Sequence, residues 1–135
     1  MAVFVLKQAS LTVNSVDLSA YVTQITLNYA VDSVETTAMN SGGHTFTGGI
    51  QNVSLDVTLN QDFAATKVAA TLDALIGSTT TVVVKADSGV VSATNPSYTI
   101  SNAFLAGTQP VNGSVGDLAS MSVSFTGGTL VKATS

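Results

Sequence analysis

Asn52-Val53-Ser54-Leu55-Asp56-Val57-Thr58-Leu59 is the stretch that decides the fold class of this chain. Its apolar residues occupy every second position, and polar residues occupy the positions between them. Successive side chains of a β-strand point to opposite faces of a sheet. The stretch therefore predicts a strand with one buried face and one polar face.

The same period of two recurs in segments 23–29, 82–86, 98–104 and 120–126. In 98–104 the alternation places Tyr98, Ile100, Asn102 and Phe104 on one face. Shorter strands are expected at Phe4–Gln8, Leu11–Val13 and Thr129–Lys132. These segments predict a mainly β fold, an antiparallel β-sandwich or β-barrel. With no linker in the sequence, we expect a single domain spanning residues 1–135.

One segment has helical spacing instead. Its apolar residues are Val68, Leu72, Leu75 and Ile76. We predict one flanking α-helix of about three turns over Phe63–Ile76, with Asp62 as its N-cap and Gly77 just past its end. We also interpret Phe4, Tyr21, Tyr29 and Phe63 as core residues.

Charge is scarce in this sequence. Charged residues make up 9% of the 135 residues, with four lysines, no arginine and a net charge of −4, whereas an average soluble domain has about 25% charged residues. Low charge density promotes association, so we expect copies of the protein to cover much of its surface. A neutral-surfaced monomer that works at high dilution is the alternative.

The composition also argues against several function classes. The chain has no cysteine and one histidine, His44, and it lacks a G-x-S-x-G motif. We therefore expect no enzyme activity, no metal and no cofactor. The lysines are scattered, which argues against sequence-specific nucleic-acid binding. The apolar run Met1–Leu6 is too short for a signal peptide and no segment reaches the length of a membrane span, so we expect a chain made and folded in the cytoplasm, with no membrane partner.

A glycine-rich loop, Thr36–Gly49, contains the histidine. Phosphate-binding glycine loops precede a helix or carry a lysine, but here a strand follows. We interpret the loop as a long flexible hairpin whose glycines adopt the positive φ of turns. We predict that it makes contacts between subunits or between rings. Its candidate residues are Thr36, Met39, Ser41, Gly42, Gly43, His44, Phe46, Gly48 and Gly49.

Several pieces of the sequence, taken in order, resemble the tail tube (major tail) proteins of long, flexible-tailed bacteriophages, most closely those of actinobacterial phages. The pieces are Val16–Leu27, Val31–Met39 and the glycine loop, Ser54–Val57, Gln61–Phe63, Ser92–Pro96 and Asn112–Ala119. In contrast to many members of that family, we expect no C-terminal immunoglobulin-like domain, and the sequence has fewer loop charges.

This resemblance implies a structural subunit that stacks as hexameric rings into a tube. Strands of the six subunits would join into one continuous β-barrel around passing DNA. Roughly 24 strands at about 4.8 Å spacing and about 40° tilt give a barrel roughly 48 Å across. The implied partners are further copies of the chain, other tail proteins at the tube ends and DNA in transient, non-specific passage. The implied location is the virion tail, assembled in the host bacterial cytoplasm.

The polar strand faces are the candidate lining of the lumen: Gln24, Thr26, Asn52, Ser54, Asp56 and Thr58. These residues could equally face solvent or another subunit. Two alternative functions remain. One is another ring component of a phage tail, such as a terminator or connector. The other is a β-sandwich ligand-binding module, for example for carbohydrate, although aromatic residues are only 6% of the chain.

Overall fold

The computed structural model describes residues 8–40, 42–63, 67–87, 89–109 and 111–134. Its elements are β1 (Ser10–Val13), β2 (Val16–Asp17), a 3-10 turn (Ser19–Tyr21), β3 (Val22–Glu35), β4 (Phe46–Asn60), α1 (Val68–Asp73), β5 (Ser78–Lys85), β6 (Ser97–Leu105), β7 (Ser120–Thr126) and β8 (Thr129–Ala133). The strands pair antiparallel in the order β2-β1-β5-β6-β7-β4-β3, with β8 beside β6. The predicted mainly β fold with one flanking helix is confirmed for the described residues.

The sheet folds over one hydrophobic core. Leu11 and Val13 of β1, near one end of the sheet, belong to the same buried cluster as Val57 and Leu59 of β4, near the other end. The alternation in 52–59 is confirmed, because every apolar residue of that stretch is buried. Because strands from both ends of the sheet share one core, the opposite faces of β3, β4 and β7 are left outside it.

A bulge in β6 corrects the predicted alternation of 98–104. Thr80 pairs with Ala103 while Val82 pairs with Ile100, so β6 has one extra residue there, and Asn102 adopts a left-handed φ of 60°. Beyond this extra residue, the side chains of β6 that would have faced the core face the opposite side of the sheet, and the reverse. As a result Ala103 and Leu105 are buried, whereas Phe104, predicted to share the face of Ile100, is 40% exposed.

The bulge is also where β6 changes its partner. β8 pairs with β6 up to Ser101, and β7 pairs with it from Phe104 onward. The turn that connects β7 to β8, Gly127-Gly128, lies against the bulge. Both glycines have positive φ, and a Cβ on Gly128 would lie 2.3 Å from the carbonyl oxygen of Ser101.

The predicted helix over Phe63–Ile76 is too long. Lys67 is extended (φ −102°, ψ −162°) and is the N-cap residue in place of Asp62, so α1 begins only at Val68 and ends at Asp73. After Asp73 the chain turns through the Leu75 N–H···O=C Leu72 bond to Gly77, which has a φ of 79°. Val68 and Leu72 are buried as predicted, Leu75 is partly buried and Ile76 is exposed. Residues 64–66 lie outside the described residues.

Two aromatic residues predicted as core are on the surface. Tyr29 is 52% exposed, because it lies on the part of β3 that continues past the end of β7. Phe63 is 66% exposed and lies outside the sheet, after the end of β4. Tyr21 packs against the core as expected. The prediction for Phe4, and most of the one for a strand at Phe4–Gln8, lies outside the described residues; Gln8 itself is not in a strand.

Candidate assembly interfaces

A polar face covers three neighbouring strands. Register rows cross it from β3 through β4 to β7: Gln24, Thr58 and Ser122; then Thr26, Asp56 and Ser124; then Asn28, Ser54 and Thr126. All six residues predicted as lumen lining lie on β3 and β4 with their side chains on this face, because they alternate with the core residues. Sequence reasoning left out the β7 residues Ser122, Ser124 and Thr126, although the same alternation indicated them.

Side-chain hydrogen bonds organise the polar face. The Ser124 hydroxyl donates to Asp56 Oδ1 at 2.7 Å, and the Asn28 amide donates to the Ser54 hydroxyl at 3.4 Å. Strands β3, β4, β6 and β7 contain no lysine or arginine. The described lysines, Lys67, Lys85 and Lys132, lie before α1, on β5 and on β8. The face is therefore neutral except for Asp56.

A two-stranded arm extends beyond this face. β7 stops opposite Ser54, whereas β3 and β4 continue as a pair to Glu35 and Phe46. Every described residue from 28 to 50 is exposed. We call residues 29–50 the arm. A two-stranded ribbon with no core of its own is marginally stable in water, so this part of the chain has the features of a contact segment.

Two of the arm's glycines, Gly48 and Gly49, lie in a strand and not in a turn, which corrects our prediction for them, whereas Gly42 and Gly43 lie at bends of the connecting loop. Phe46, Thr47, Gly48 and Gly49 belong to β4, so the loop is shorter than Thr36–Gly49, and none of Gly42, Gly43, Gly48 and Gly49 has a positive φ. A register shift separates the pairs Val31↔Gln51 and Ser33↔Gly48. At this bulge a Cβ on Gly49 would lie 3.0 Å from Val34 Cγ2 and 3.2 Å from the Asp32 carbonyl oxygen. Glycine permits that close approach.

Hydrogen bonds hold the base of the arm's loop. The Thr36 N–H donates to the Thr45 carbonyl at 2.8 Å, and the Thr45 N–H donates to the Thr37 hydroxyl at 2.9 Å. His44 Nδ1 lies 2.6 Å from Glu35 Oε2, with both side chains largely exposed. The histidine thus contacts a carboxylate on the surface, with no nucleophile among its described hydrogen-bond partners. Met39, at the far end, is fully exposed, and Ser41 lies outside the described residues.

An apolar groove lies at the opposite end of β4. Its lining residues are Phe63, Val111, Asn112, Gly113, Ser114, Val115, Asp117 and Ala119, around a volume of about 290 Å³. We call it the end groove. The Gln61 N–H donates to the Ala119 carbonyl at 3.0 Å, which fixes the groove directly beyond Asn60. Sequence reasoning missed it, because its residues come from two segments about fifty positions apart.

Among the three described strands that form the polar face, β3 and β7 have edges without a full strand partner. β3 is the last strand of the sheet and pairs with β4 alone. β7 has β6 beside it only at Phe125 and Thr126. Along the rest of that edge, the Ser122 N–H lies 3.5 Å from the side-chain oxygen of Gln109.

Among the described residues, no three His, Asp or Glu side chains come together as a metal site. In the same residues, no helix has the length and apolar character that a membrane crossing requires.

Comparisons with known proteins identify the fold. No family model matches the chain, and no curated protein matches it. A chain of the virion of a native gene transfer agent particle superposes with a TM-score of 0.74 at 14% identity, covering 97% of this chain and 99% of that one. A chain of the sheath–tube complex of the extracellular contractile injection system PVC, in the extended state, gives 0.70 at 10% identity, covering 98% and 93%.

A third match comes from the tail of an empty gene transfer agent particle, solved with C6 symmetry, with a TM-score of 0.56 at 19% identity, covering 82% of this chain and 81% of that one. The fold of this chain is thus the one found in subunits of tail and tube particles. The resemblance to actinobacterial phages in particular stays a prediction.

Proposed function

We propose that this chain is the structural subunit of a phage-type tail tube, stacking as hexameric rings into a hollow conduit. The single observation that carries the proposal is the polar, lysine-free face of β3, β4 and β7 on a fold shared with tail particles. The structural likeness at 10–19% identity concerns the fold, so the function rests on the surfaces described above.

The charge distribution suits a conduit for DNA. Each lysine–phosphate contact releases counterions and adds affinity, and many such contacts along a tube would slow a passing duplex. The proposed lining, Gln24, Thr26, Asn52, Ser54, Asp56 and Thr58, offers hydroxyls, amides and one carboxylate instead. DNA then passes without being held, and the described lysines lie on other elements.

The open edges favour a barrel shared between subunits. Unpaired strand edges are a liability that proteins cover or charge, and β3 exposes its edge from Val22 to Glu35 with only two acids, Asp32 and Glu35. In the proposed ring, this edge pairs with the sheet of the neighbouring subunit. The hydrogen-bonded order β6-β7-β4-β3 supplies about four strands per subunit, so six subunits give the barrel of roughly 48 Å calculated above.

The arm supplies contacts between subunits or rings. Its candidate residues are Thr36, Met39, Ser41, Gly42, Gly43, His44, Phe46, Gly48 and Gly49. In the same arrangement α1 lies on the outer side of the tube, with the virion tail as the site of the protein and the host cytoplasm as its site of assembly. Other tail proteins would contact the tube ends.

A tail terminator or connector is the second candidate, because one neighbouring structure is a sheath/tube terminator (TM-score 0.69, 10% identity, covering 96% of each chain). The two functions differ in whether the purified chain polymerises. Light scattering across a concentration series, together with negative-stain microscopy, decides between them. A tube subunit gives hollow tubes or ring stacks, whereas a terminator stops at one ring. A stable monomer at every concentration, even after seeding with tails, contradicts both.

A further inference from the structure

The end groove contains the single Asn-Gly dipeptide of the sequence, Asn112-Gly113. In such a dipeptide the backbone nitrogen of the second residue can attack the side-chain amide of the first, and glycine obstructs this attack least because it has no Cβ. We propose that Asn112 is a site of spontaneous deamidation, which turns it into isoaspartate or aspartate. This chemistry needs the loop alone and goes beyond the proposed function.

The reaction requires only water as a co-reactant. The Gly113 nitrogen bonds to Asn112 Cγ as its N–H proton is lost, a succinimide ring closes, and the side-chain nitrogen leaves with a proton as ammonia. Water then opens the ring at one of its two carbonyl carbons. Cleavage of the new Cγ–N bond gives aspartate, and cleavage of the original peptide bond gives isoaspartate, whose main chain is one carbon longer. Either product adds one carboxylate to the chain.

The structure leaves both reacting groups accessible. Asn112 and Gly113 are exposed and lie outside the strands and α1. Within the described residues, the Gly113 N–H has no hydrogen-bond acceptor, and the side-chain amide of Asn112 donates one long bond, of 3.3 Å, to Gln109 Oε1. A bond of that length on the surface holds a side chain weakly. The Asn112 side chain is therefore able to turn toward the Gly113 nitrogen.

The backbone also favours glycine at position 113. Gly113 has a φ of 141°, a conformation that residues with a side chain rarely adopt. The fold of the loop therefore keeps, directly after Asn112, the residue type that allows the fastest attack.

The other seven asparagines of the sequence are less reactive positions. Four lie in strands, where backbone pairing restricts the neighbouring nitrogen: Asn28, Asn52, Asn60 and Asn102. Asn95 precedes Pro96, whose nitrogen carries no hydrogen and cannot close the ring. Asn14 and Asn40 precede serine, and a side chain on the following residue slows the attack. Deamidation should therefore be selective for Asn112.

Conversion changes the charge of the end groove. Apolar side chains such as Phe63 and Val115 line the groove, and Asp117 is the one charged residue of its lining. A carboxylate at position 112 gives the same lining a second negative charge and takes the net charge of the chain from −4 to −5. Because burying an unpaired charge is costly, the converted groove is a poorer site for any apolar partner.

Peptide mapping of the aged chain tests this assignment. The dilute full-length chain is incubated in mildly alkaline buffer, and chymotrypsin then cleaves after Leu105 and Leu118, so that the peptide Ala106–Leu118 contains Asn112 as its single asparagine. This peptide should gain the mass of one deamidation severalfold faster than any other peptide with an asparagine. Isoaspartate and aspartate should elute as two products, and the rate should rise with pH because the attacking nitrogen must lose its proton.

Two glutamine variants provide a matched control. Asn112→Gln keeps an amide on a longer side chain, so ring closure is far slower and the mass gain of this peptide should be lost. Asn40→Gln, on the exposed arm, should leave that gain unchanged. Asn112→Asp should migrate in isoelectric focusing with the acidic form of the aged parent chain.

Three results overturn the assignment: the peptide Ala106–Leu118 keeps its mass, Asn112→Gln gains mass there at the parent rate, or aspartate forms without isoaspartate. The last result would mean direct hydrolysis of the amide without a ring. None of these measurements requires assembly, so each failure leaves the proposed function standing.

Discussion

At the scale of single residues, Gly128 is the position where the backbone leaves least freedom. It combines a φ of 87° with the approach of 2.3 Å to the Ser101 carbonyl, whereas Gly127, with a φ of 77°, has no atom within 4 Å of its Cβ position. We expect Gly127→Ala to lower the free energy of unfolding by about 1–2 kcal/mol, because alanine is strained in the left-handed region of backbone conformation. Gly128→Ala should cost clearly more, because β6 must also move. Urea unfolding of the two variants measures the difference, and equal losses would contradict this account.

Asp17 gives the chain a pH-dependent contribution to stability. The hydroxyl of Ser19 and its backbone N–H, the latter at 2.9 Å, both donate to Asp17 Oδ1 and hold the pKa of that carboxyl below its usual value, with a smaller effect of Lys85 in the same direction. A lowered folded pKa means that the contribution is complete above the unfolded pKa of about 3.9. It is lost as the pH falls through the folded value.

Asp17→Asn should therefore lower the free energy of unfolding at pH 6. The difference in free energy of unfolding between the variant and the parent chain should become smaller as the pH falls below about 4. Chemical unfolding at a series of pH values measures that gap. A gap that stays constant down to pH 2.5 would show that the Ser19 contacts do not favour the carboxylate.

Single residues also mark where sequence reasoning succeeded and failed. The alternation of 52–59 was sufficient to predict a buried face, because a strand without bulges keeps its phase. The alternation in 98–104 failed after Ile100. No sequence pattern around Asn102 indicates that β6 pairs with β8 before this point and with β7 after it. The glycines of the arm misled us for a similar reason. A glycine can allow either a turn or a close contact between two backbones, and only the strand register shows which of the two applies at a given position.

At the scale of elements, α1 buries Val68, Ala69, Thr71 and Leu72, and the two larger apolar side chains, Val68 and Leu72, belong to the core cluster. Leu72→Ala should cost about 2–5 kcal/mol, as expected for a buried leucine. The matched control, Leu118→Ala, removes an exposed leucine and should change stability by less than about 0.5 kcal/mol. Thermal or urea unfolding of the monomer compares them, and parent-like stability of Leu72→Ala would refute the assigned burial.

The arm should matter for assembly and little for folding. Because Val31 pairs with Gln51, residues 32–50 can be replaced by an Asn-Gly turn, the preferred two-residue hairpin connection. All described residues removed are exposed, so we expect the free energy of unfolding to change by no more than about 1 kcal/mol and tube formation to stop. Light scattering of the shortened chain measures tube formation, and urea unfolding measures its free energy of unfolding. Tubes of normal length and stability would mean that the arm is ordinary surface.

The helix and the arm also show how far element bounds can be predicted. Apolar spacing placed Val68 and Leu72 correctly on the buried side of a helix. It could not show that the helix starts only at Val68, because the extended backbone of Lys67 has no strong signal in the sequence. Strands β3 and β4 run beyond their apolar alternation, since the arm keeps its backbone pairing after core contacts end.

At the scale of the whole molecule, the described part of the chain carries several exposed features of the kind that proteins cover when they assemble. An open edge on β3, an exposed arm and an end groove lie on one chain with few charges. Composition alone predicted association, because low charge leaves little repulsion between copies. The location of the candidate interfaces needed the fold, because the groove and the polar face bring together segments that are distant in sequence.

Cryo-electron microscopy of the assembled protein tests the central claim most directly. The account predicts a hollow tube whose inner wall is the polar face of β3, β4 and β7, with Asp56 and Ser124 toward the lumen and α1 on the outside. A solid filament, a tube with that face turned outward, or particles that remain monomeric at every concentration would contradict it.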